Sequence, residues 1–490
     1  MTRTMSGRGN LTPEQSFLFD TIDRNARAIA LLGDNIFYFG ELGMQEFETA
    51  KLMTSLLEKA GFTVERGISG FPTAFCATFG SGYPVVAIHT EYDGCPDNSQ
   101  APGVPEQRFI VEGAPGHCEG HNVNAAVLIA TALAVRSAME RFGLKGTLKV
   151  FGGPAEEQLV SRPYFVRDGW FDDVDVAFHD HIGAEFSSSH GLVQSALVSA
   201  TFTFHGETAH AGTSPWNGRD ALDGVMLMDA GMAQYREHMR PSMRAHRVVI
   251  NGGDQPNVIP RTATIWWFFR DGAAEGALAL FEQAKKIAAG AAMMSNTTFE
   301  VDVLSAVWPL RCNRTLAELI QRQIEVVGMP AWTEDEQKLA RELQTNAKVK
   351  VEGLRREIKA MKGEAVQRAS ANDAGDVSWK VPMAKFYYPS NVPNINSHHW
   401  AAGVVLAHPI AHKGAVAGAK AFSAAVTECF ANPAVVAEAK RTFREELAGV
   451  EYKPMLPADQ KPPLELNRAI MEKFRPAMAK HYLKETPEFS

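Results

Sequence analysis

Cysteines in paired spacing are missing from this chain. The five present (Cys76, Cys95, Cys118, Cys312, Cys429) are scattered through 490 residues, so no disulfide framework is expected and a reducing, cytoplasmic compartment fits. Basic excess is missing too. A net charge of -7 gives no electrostatic reason to expect nucleic acid or a membrane surface as partner. No apolar run approaches the ~20 residues that cross a bilayer. Residues 1–10 are polar and lack an apolar stretch, so no secretory signal is expected. Repeats and low-complexity tracts are absent. What remains is an ordinary globular composition, 45% hydrophobic and 21% charged, at a length that suits two domains.

The chemistry concentrates in Gly116-His117-Cys118-Glu119-Gly120-His121-Asn122, just before the apolar helical run 125–142. Glu119 and His121 can aim at one point from an irregular backbone, as a metal site at a helix start requires. Taken alone, the stretch reads equally well as a polar loop with a capping Asn. Other strand ends tip the balance. The apolar strand 85–88 ends in His89-Thr90-Glu91-Tyr92-Asp93, strand 148–151 runs into Gly152-Gly153-Pro154-Ala155-Glu156-Glu157, and strand 174–178 ends in His179-Asp180-His181. Helices are expected over 13–32 and 44–60. Carboxylates and imidazoles past the carboxyl ends of parallel strands mark the ligand side of an open α/β sheet.

The pattern changes after residue 193. Strands over 196–204, 248–250, 262–270 and 298–304, with helices over 220–235 and 273–293, give the β-α-β-β-α-β order of a small ferredoxin-like unit. Three segments follow: 1–193 and 309–490 as the two parts of an α/β catalytic domain, and 194–308 as an insertion. Residues 333–368 read as a charge-rich helical surface, 404–407 as a strand before His408-Pro409-Ile410-Ala411-His412, and the tail from 453 as a surface wrap.

Oxygen and nitrogen donors of this kind suit zinc, manganese or cobalt. Glu156 and Glu157, adjacent on a turn, point different ways, so one can bind a metal while the other acts as general base toward water. Two solvated glutamates are the commoner fate of such a pair, but a buried strand and Gly-Gly-Pro precede this one. Asp373 and Asp376 are expected to hydrogen-bond ligands or helix starts. His179, His398 and His399 are candidates for substrate or supporting contacts, and Trp216, Trp379 and Trp400 for an aromatic pocket.

The motifs Phe39-Gly40-Glu41-Leu42-Gly43, Gly113-Ala114-Pro115-Gly116-His117, Gly120-His121-Asn122 and Pro154-Ala155-Glu156-Glu157 run in order with Thr208-Ala209-His210-Ala211, Pro256-Asn257-Val258-Ile259-Pro260, Gly375-Asp376-Val377-Ser378-Trp379 and Ala411-His412-Lys413-Gly414. In this series the chain resembles the aminoacylase/glutamate-carboxypeptidase type of metallopeptidases, metallopeptidase family 20. Within it, the branch of p-aminobenzoyl-glutamate, hippurate and auxin-conjugate hydrolases is the best match. The resemblance implies a catalytic domain with a central mixed sheet flanked by helices, interrupted by a ferredoxin-like dimerisation domain. It places Glu119, His121, Glu157, His181 and His412 on metal positions, for one or two divalent ions (zinc or manganese) per chain. Glu156 falls on the general base. His210 falls on a residue that stabilises the oxyanion in the partner subunit's site, and His210, Asn257 and Arg261 are the substrate-binding candidates. The branch usually has Cys-Gly-His where this chain has Glu119-Gly120-His121. Glu119 is therefore read as a bridging carboxylate that favours manganese somewhat, and Cys118 as a bystander. His89, at the first histidine of more distant members, is read as a strand-end histidine.

The expectation is a homodimeric, cytoplasmic, metal-dependent hydrolase of a C–N bond in a small N-acyl or N-aroyl amino acid. Hydrolytic deamination of an aromatic amine on the same site, and a catalytically silent binding subunit, are the alternatives.

Overall fold

The computed structural model describes residues 11–365 and 370–490, so the polar stretch 1–10 and the end of the segment 333–368 lie outside the described residues. Its strands begin with β1 (Thr63–Arg66), β2 (Phe75–Ser81), β3 (Val85–Thr90), β4 (Gly146–Gly152), β5 (Val176–Gly183), β6 (Ser187–Ser188) and β7 (Gly191–Leu192). Then come β8 (Ala196–His205), β9 (Arg244–Asn251), β10 (Thr262–Asp271), β11 (Thr298–Val307), β12 (Arg311–Cys312) and β13 (Met383–Pro389).

Seven of these form one mixed sheet in the order β1-β2-β4-β3-β5-β13-β6. Its centre is parallel: β3 pairs with β4 and β5, and β5 with β13. Parallel neighbours need crossovers, which here contain the helices His121–Phe142 and Ser161–Arg167. The helix His121–Phe142 opens at Gly120, whose φ of +79° and lack of a side chain let it sit against Ile182. Its alanines (Ala125, Ala126, Ala130, Ala132, Ala134, Ala138) are buried in the same core as those of the helix Pro409–Ala431, and small side chains let two helices approach closely. By length and composition this helix could cross a bilayer, contrary to the reading that no apolar run is long enough. Its burial at the centre of the fold accounts for its apolarity.

The strands β11-β8-β10-β9 form a second, antiparallel sheet covered by the helices Ala221–Tyr235 and Ala274–Ser295. Strict alternation in β10 sends Ala263, Ile265, Trp267 and Phe269 under the helices. β9 is an open edge, with Val248, Val249 and Ile250 exposed.

Further expectations of secondary structure differ from the structure. The helix read over 13–32 is two, Pro13–Arg24 and Ala26–Phe39, broken at Asn25, whose side chain donates to the Thr21 carbonyl at 2.9 Å. Residues 404–407 are turns between the helices Trp400–Gly403 and Pro409–Ala431, not a strand, because a four-residue apolar run cannot distinguish a buried turn from a strand. Among its described residues the charge-rich segment is α-helical only over Glu334–Asn346. The tail packs inward in places: Leu456 joins one core cluster, and Met471 and Met478 another around Leu42.

Candidate metal and catalytic site

β3, β4 and β5 deliver their carboxyl ends to one place. Past β3 lie Glu91 and Asp93, and past β4 lie Glu156 and Glu157. In β5 itself, His179 and His181 share a face by strand alternation, since β5 extends through the histidines instead of ending before them. The left-handed turn at Gly120 brings in Glu119 and His121.

The donor atoms converge. His121 Nδ1 donates to the Asp93 carboxylate at 3.1 Å, which turns Nε2 inward to within 3.7 Å of Glu156 Oε2. His181 Nδ1 donates to the Ile182 carbonyl at 2.8 Å, leaving Nε2 3.5 Å from Glu91 Oε1. His398 Nε2 lies 3.0 Å from Glu119 Oε1 and 3.2 Å from Glu157 Oε2. Among the described residues four groups have mutually close donor atoms: Glu91 with His121 and His181, Glu119 with His121 and Glu156, Glu119 with Glu157 and His398, and Glu157 with Cys95 and Cys118. Glu119 belongs to two of them, the position a bridging carboxylate needs. His121 Nε2 and Glu91 Oε1 are buried with no hydrogen-bond partner, and a buried polar atom without one is costly. A divalent cation would supply what both lack, so the residues fit such a group.

Glu156 is fixed separately. Asn372 Nδ2 donates to its Oε1 at 2.7 Å. Burial, and then the charge of Glu91, hold its carboxyl well above the usual carboxylate range. Glu157 faces His398 instead; its backbone N–H donates to Asp93 Oδ2 at 3.0 Å and its Oε1 lies 2.9 Å from Cys95 Sγ. The Glu119 and Glu157 carboxylates hold the His398 imidazolium up to about 10. Behind the site, buried Arg162 is gripped by Glu91 and Asp373, and Glu91 also meets His179 Nε2 at 2.8 Å.

His412 is not brought to this centre. Its helix starts at Pro409 and carries the ring toward Asp34, where Nε2 donates to Oδ1 at 2.8 Å. His398, read only as a supporting contact, stands among the donors instead. Cys95 and Cys118 form a disulfide beside Glu157, where none was expected; separated by 23 residues, they meet only because both loops turn back to the donors. His89 is buried and stacked on His179 at 4.9 Å, with neither ring nitrogen hydrogen-bonded. His399 caps the helix Trp400–Gly403. Asp373 holds Arg162, and Asp376 accepts from Trp308 N–H and Tyr452 O–H. The cavity is about 790 Å³, and its aromatic lining is Phe268 and Tyr387 in place of the three tryptophans. His210, Asn257 and Arg261 are exposed on the inserted unit, outside this chain's own cavity, where His210 bridges Val258 and Ala211 N–H donates to the Asn257 carbonyl.

Comparison with known proteins identifies the group. The chain is 31% identical over 455 residues to one of the two subunits of p-aminobenzoyl-glutamate hydrolase from Escherichia coli, covering 88% of this chain and 94% of that one. This chain belongs to metallopeptidase family 20. The family's peptidase dimerisation domain matches residues 194–293. Indole-3-acetyl-aspartic acid hydrolase of Enterobacter agglomerans, a second relative, is 26% identical over 54% of this chain and 64% of its own. Among solved folds, a dinuclear metal-binding peptidase of family 20 from Bacillus subtilis superposes with a TM-score of 0.54 at 16% identity, over 84% of this chain and 99% of that one. An aminobenzoyl-glutamate utilization protein from Klebsiella pneumoniae gives 0.57 at 17%, over 85% and 99%. The mixed sheet with its inserted unit is the fold of family 20.

Proposed function

We propose that this family 20 hydrolase cleaves the amide bond of a small N-acyl or N-aroyl amino acid, with Glu156 as general base. The observation that carries the reading is the pairing of an oriented, buried Glu156 with the donors Glu119, Glu157, His181 and His398 that line one cavity and with His121 buried behind them. Two relatives named for hydrolysis of acyl-amino acid conjugates support the substrate class. These donors would hold one or two divalent ions, zinc or manganese. When bound, such an ion supplies Lewis acidity toward a carbonyl and lowers the pKa of water. Glu156 removes a proton from the attacking water as its oxygen bonds to the carbonyl carbon. The same carboxyl then returns the proton to nitrogen as the C–N bond breaks. His210, Asn257 and Arg261 act from a partner subunit, docked through the inserted unit's open, apolar edge at β9. The Escherichia coli relative is named as one of two subunits, so a partner of different sequence is an alternative to a second copy. The cytoplasm is retained as compartment on the three buried, unpaired cysteines Cys76, Cys312 and Cys429, although the Cys95–Cys118 disulfide weighs the other way.

The test is metal analysis beside turnover of an N-benzoyl and N-acetyl amino acid panel, for wild type and Glu156→Gln. Wild type cleaves the amide. Glu156→Gln keeps its metal and loses turnover. Ammonia released from an aromatic amine, with the amide panel inert, would reassign the chemistry.

A further inference from the structure

Glu157 faces two ways. Its Oε2 lies 3.2 Å from His398 Nε2, on the side of the carboxylate and imidazole donors, while its Oε1 packs 2.9 Å from Cys95 Sγ. Cys95, Cys118 and Glu157 are themselves a group with mutually close donor atoms, and the hydrolytic reading leaves the sulfurs unused. With both sulfurs tied in the bridge, neither carries a proton or a thiolate charge. The Glu157 carboxylate therefore faces a sulfur that cannot donate to it. A disulfide sulfur is also a poor metal ligand, where a thiolate is a strong one.

The two cysteines do not depend on the bridge to stay together. Cys95 N–H donates to the Gly116 carbonyl at 2.9 Å, and Gly116 N–H donates back to the Cys95 carbonyl at 3.0 Å. The backbone thus clamps one cysteine loop against the other. A Cβ on Gly116 would collide with the Asn98 carbonyl, so glycine is what permits the approach. Glu157 is held from its own side, by the bond from its N–H to Asp93 Oδ2 at 3.0 Å. Reduction therefore leaves two thiols and a carboxylate around one point. Cys95 and Cys118 are buried, but Pro96 and Asp97, the next residues along, are exposed, so the bridge lies under a solvent-facing turn. Cys76, Cys312 and Cys429 are buried and unpaired elsewhere, which makes this pair the chain's one redox couple among the described residues.

We propose that Cys95, Cys118 and Glu157 form a thiolate site for a divalent cation of the zinc or cobalt type, closed by the disulfide and opened by a dithiol reductant. The site is additional to the hydrolytic donors and shares only Glu157 with them. It rests on the divalent-cation reading of that centre, and not on the amide chemistry. The dithiol supplies two electrons and two protons. Its thiolate attacks one sulfur, the S–S bond breaks through a mixed disulfide, and the reductant leaves as its own disulfide while Cys95 and Cys118 become thiols. Cation binding then releases the thiol protons to solvent. Two thiolates, one carboxylate and a water make the four-coordinate set that zinc and cobalt accept, and sulfur disfavours manganese. Because Glu157 serves both sites, the state of the bridge reaches the hydrolytic centre through one carboxylate.

Cobalt titration of the metal-free, full-length protein tests this, in an oxidised preparation and in one reduced with excess trialkylphosphine and desalted without air. Alkylation of unfolded aliquots counts the thiols, three per chain when oxidised and five when reduced. Reduced wild type should bind about one more cobalt per chain than the oxidised protein, with a thiolate-to-cobalt charge-transfer band in the near ultraviolet. Re-oxidation should abolish both. Cys95→Ser and Cys118→Ser should each weaken that cobalt by at least about tenfold, since loss of even an outer partner does so. Melting temperature shows that the variants fold, and the two redox states of wild type carry the test without any substitution. Equal cobalt in both states and no band overturns the proposal while leaving the hydrolytic metal reading intact. A band without the additional cobalt makes the sulfurs ligands of the hydrolytic metal, and so overturns a separate site. A bridge that excess phosphine does not open in the folded protein overturns the gating. No cobalt in either state removes the divalent-cation reading, and this proposal with it.

Discussion

Asn372 donates a 2.7 Å hydrogen bond to Glu156 Oε1 from 216 residues farther along the chain. The bond ties chain segments on either side of the inserted unit together at the proposed base. It also selects which oxygen is free: Oε2 remains on the side of His121.

Removing that donor should cost rate more than affinity. Asn372→Ala leaves Glu156 buried and ionisable but no longer aimed, and small misplacements of a catalytic group cost about a hundredfold. The expected result is kcat lower by about tenfold to a hundredfold with KM nearly unchanged, read by steady-state kinetics on the cleaved amide. An unaltered kcat would show that Asn372 merely fills space.

His398 and His412 make opposite predictions from the same residue type. His398 stands 3.0 Å from Glu119 and 3.2 Å from Glu157, whereas His412 bonds Asp34 on another face. His398→Ala should weaken metal binding by at least about tenfold, as removal of even an outer partner does. His412→Ala should retain the metal and lose at most about 1 kcal/mol, the scale of a partly exposed ion pair. Metal content after dialysis decides between them. Full occupancy in His398→Ala with loss in His412→Ala would restore the ligand set read from the sequence.

Much of this centre was legible in sequence because strand ends punctuate it. Apolar runs followed at once by His, Asp and Glu revealed β3, β4 and β5 and what they carry, and the alternation in β10 revealed the inserted unit. What escaped has physical reasons. His398 sits in an Asn/Pro/Ser-rich loop with no periodicity to orient it. His412 lay in a motif, but its direction is set by where a helix begins, at Pro409. Glu91 and Asp93 had the same signature as Glu156 and Glu157, yet without the fold nothing separated donor from orienter. Arg162 lies on a short helix, and only packing pairs it with Glu91 and Asp373.

Asp376 makes a pH prediction away from the metal donors. Burial raises its carboxyl to about 7, although Trp308 N–H and Tyr452 O–H both bond to it. The folded state therefore keeps a proton that the unfolded chain, at about 3.9, has released. Stability from this group is present below about pH 4 and is lost as pH rises toward 7. Asp376→Asn preserves shape: its amide oxygen can accept from Trp308 while its NH₂ donates to the Tyr452 oxygen. Urea unfolding midpoints between pH 4 and 8 should decline less steeply with rising pH for Asp376→Asn than for wild type. Parallel curves for the two proteins would show that Asp376 does not govern the slope.

The partner's share of the site can be tested by mixing. His210 is exposed and absent from its own chain's cavity, so His210→Ala alone should lower turnover while leaving metal content at the wild-type level. Glu156→Gln should be inactive for a different reason, since it lacks the base but keeps His210. If His210 serves the opposite subunit, a hybrid dimer has one complete site: Glu156 from the His210→Ala chain and His210 from the Glu156→Gln chain. Random exchange at equal concentrations makes half the dimers hybrid, and half of their sites are whole. Activity should therefore recover to about a quarter of wild type, as isologous pairing of two chains requires. Recovery should develop at the rate of subunit exchange and vanish when either variant is omitted. No recovery, with exchange confirmed by mass spectrometry of tagged chains, would confine catalysis to a single subunit.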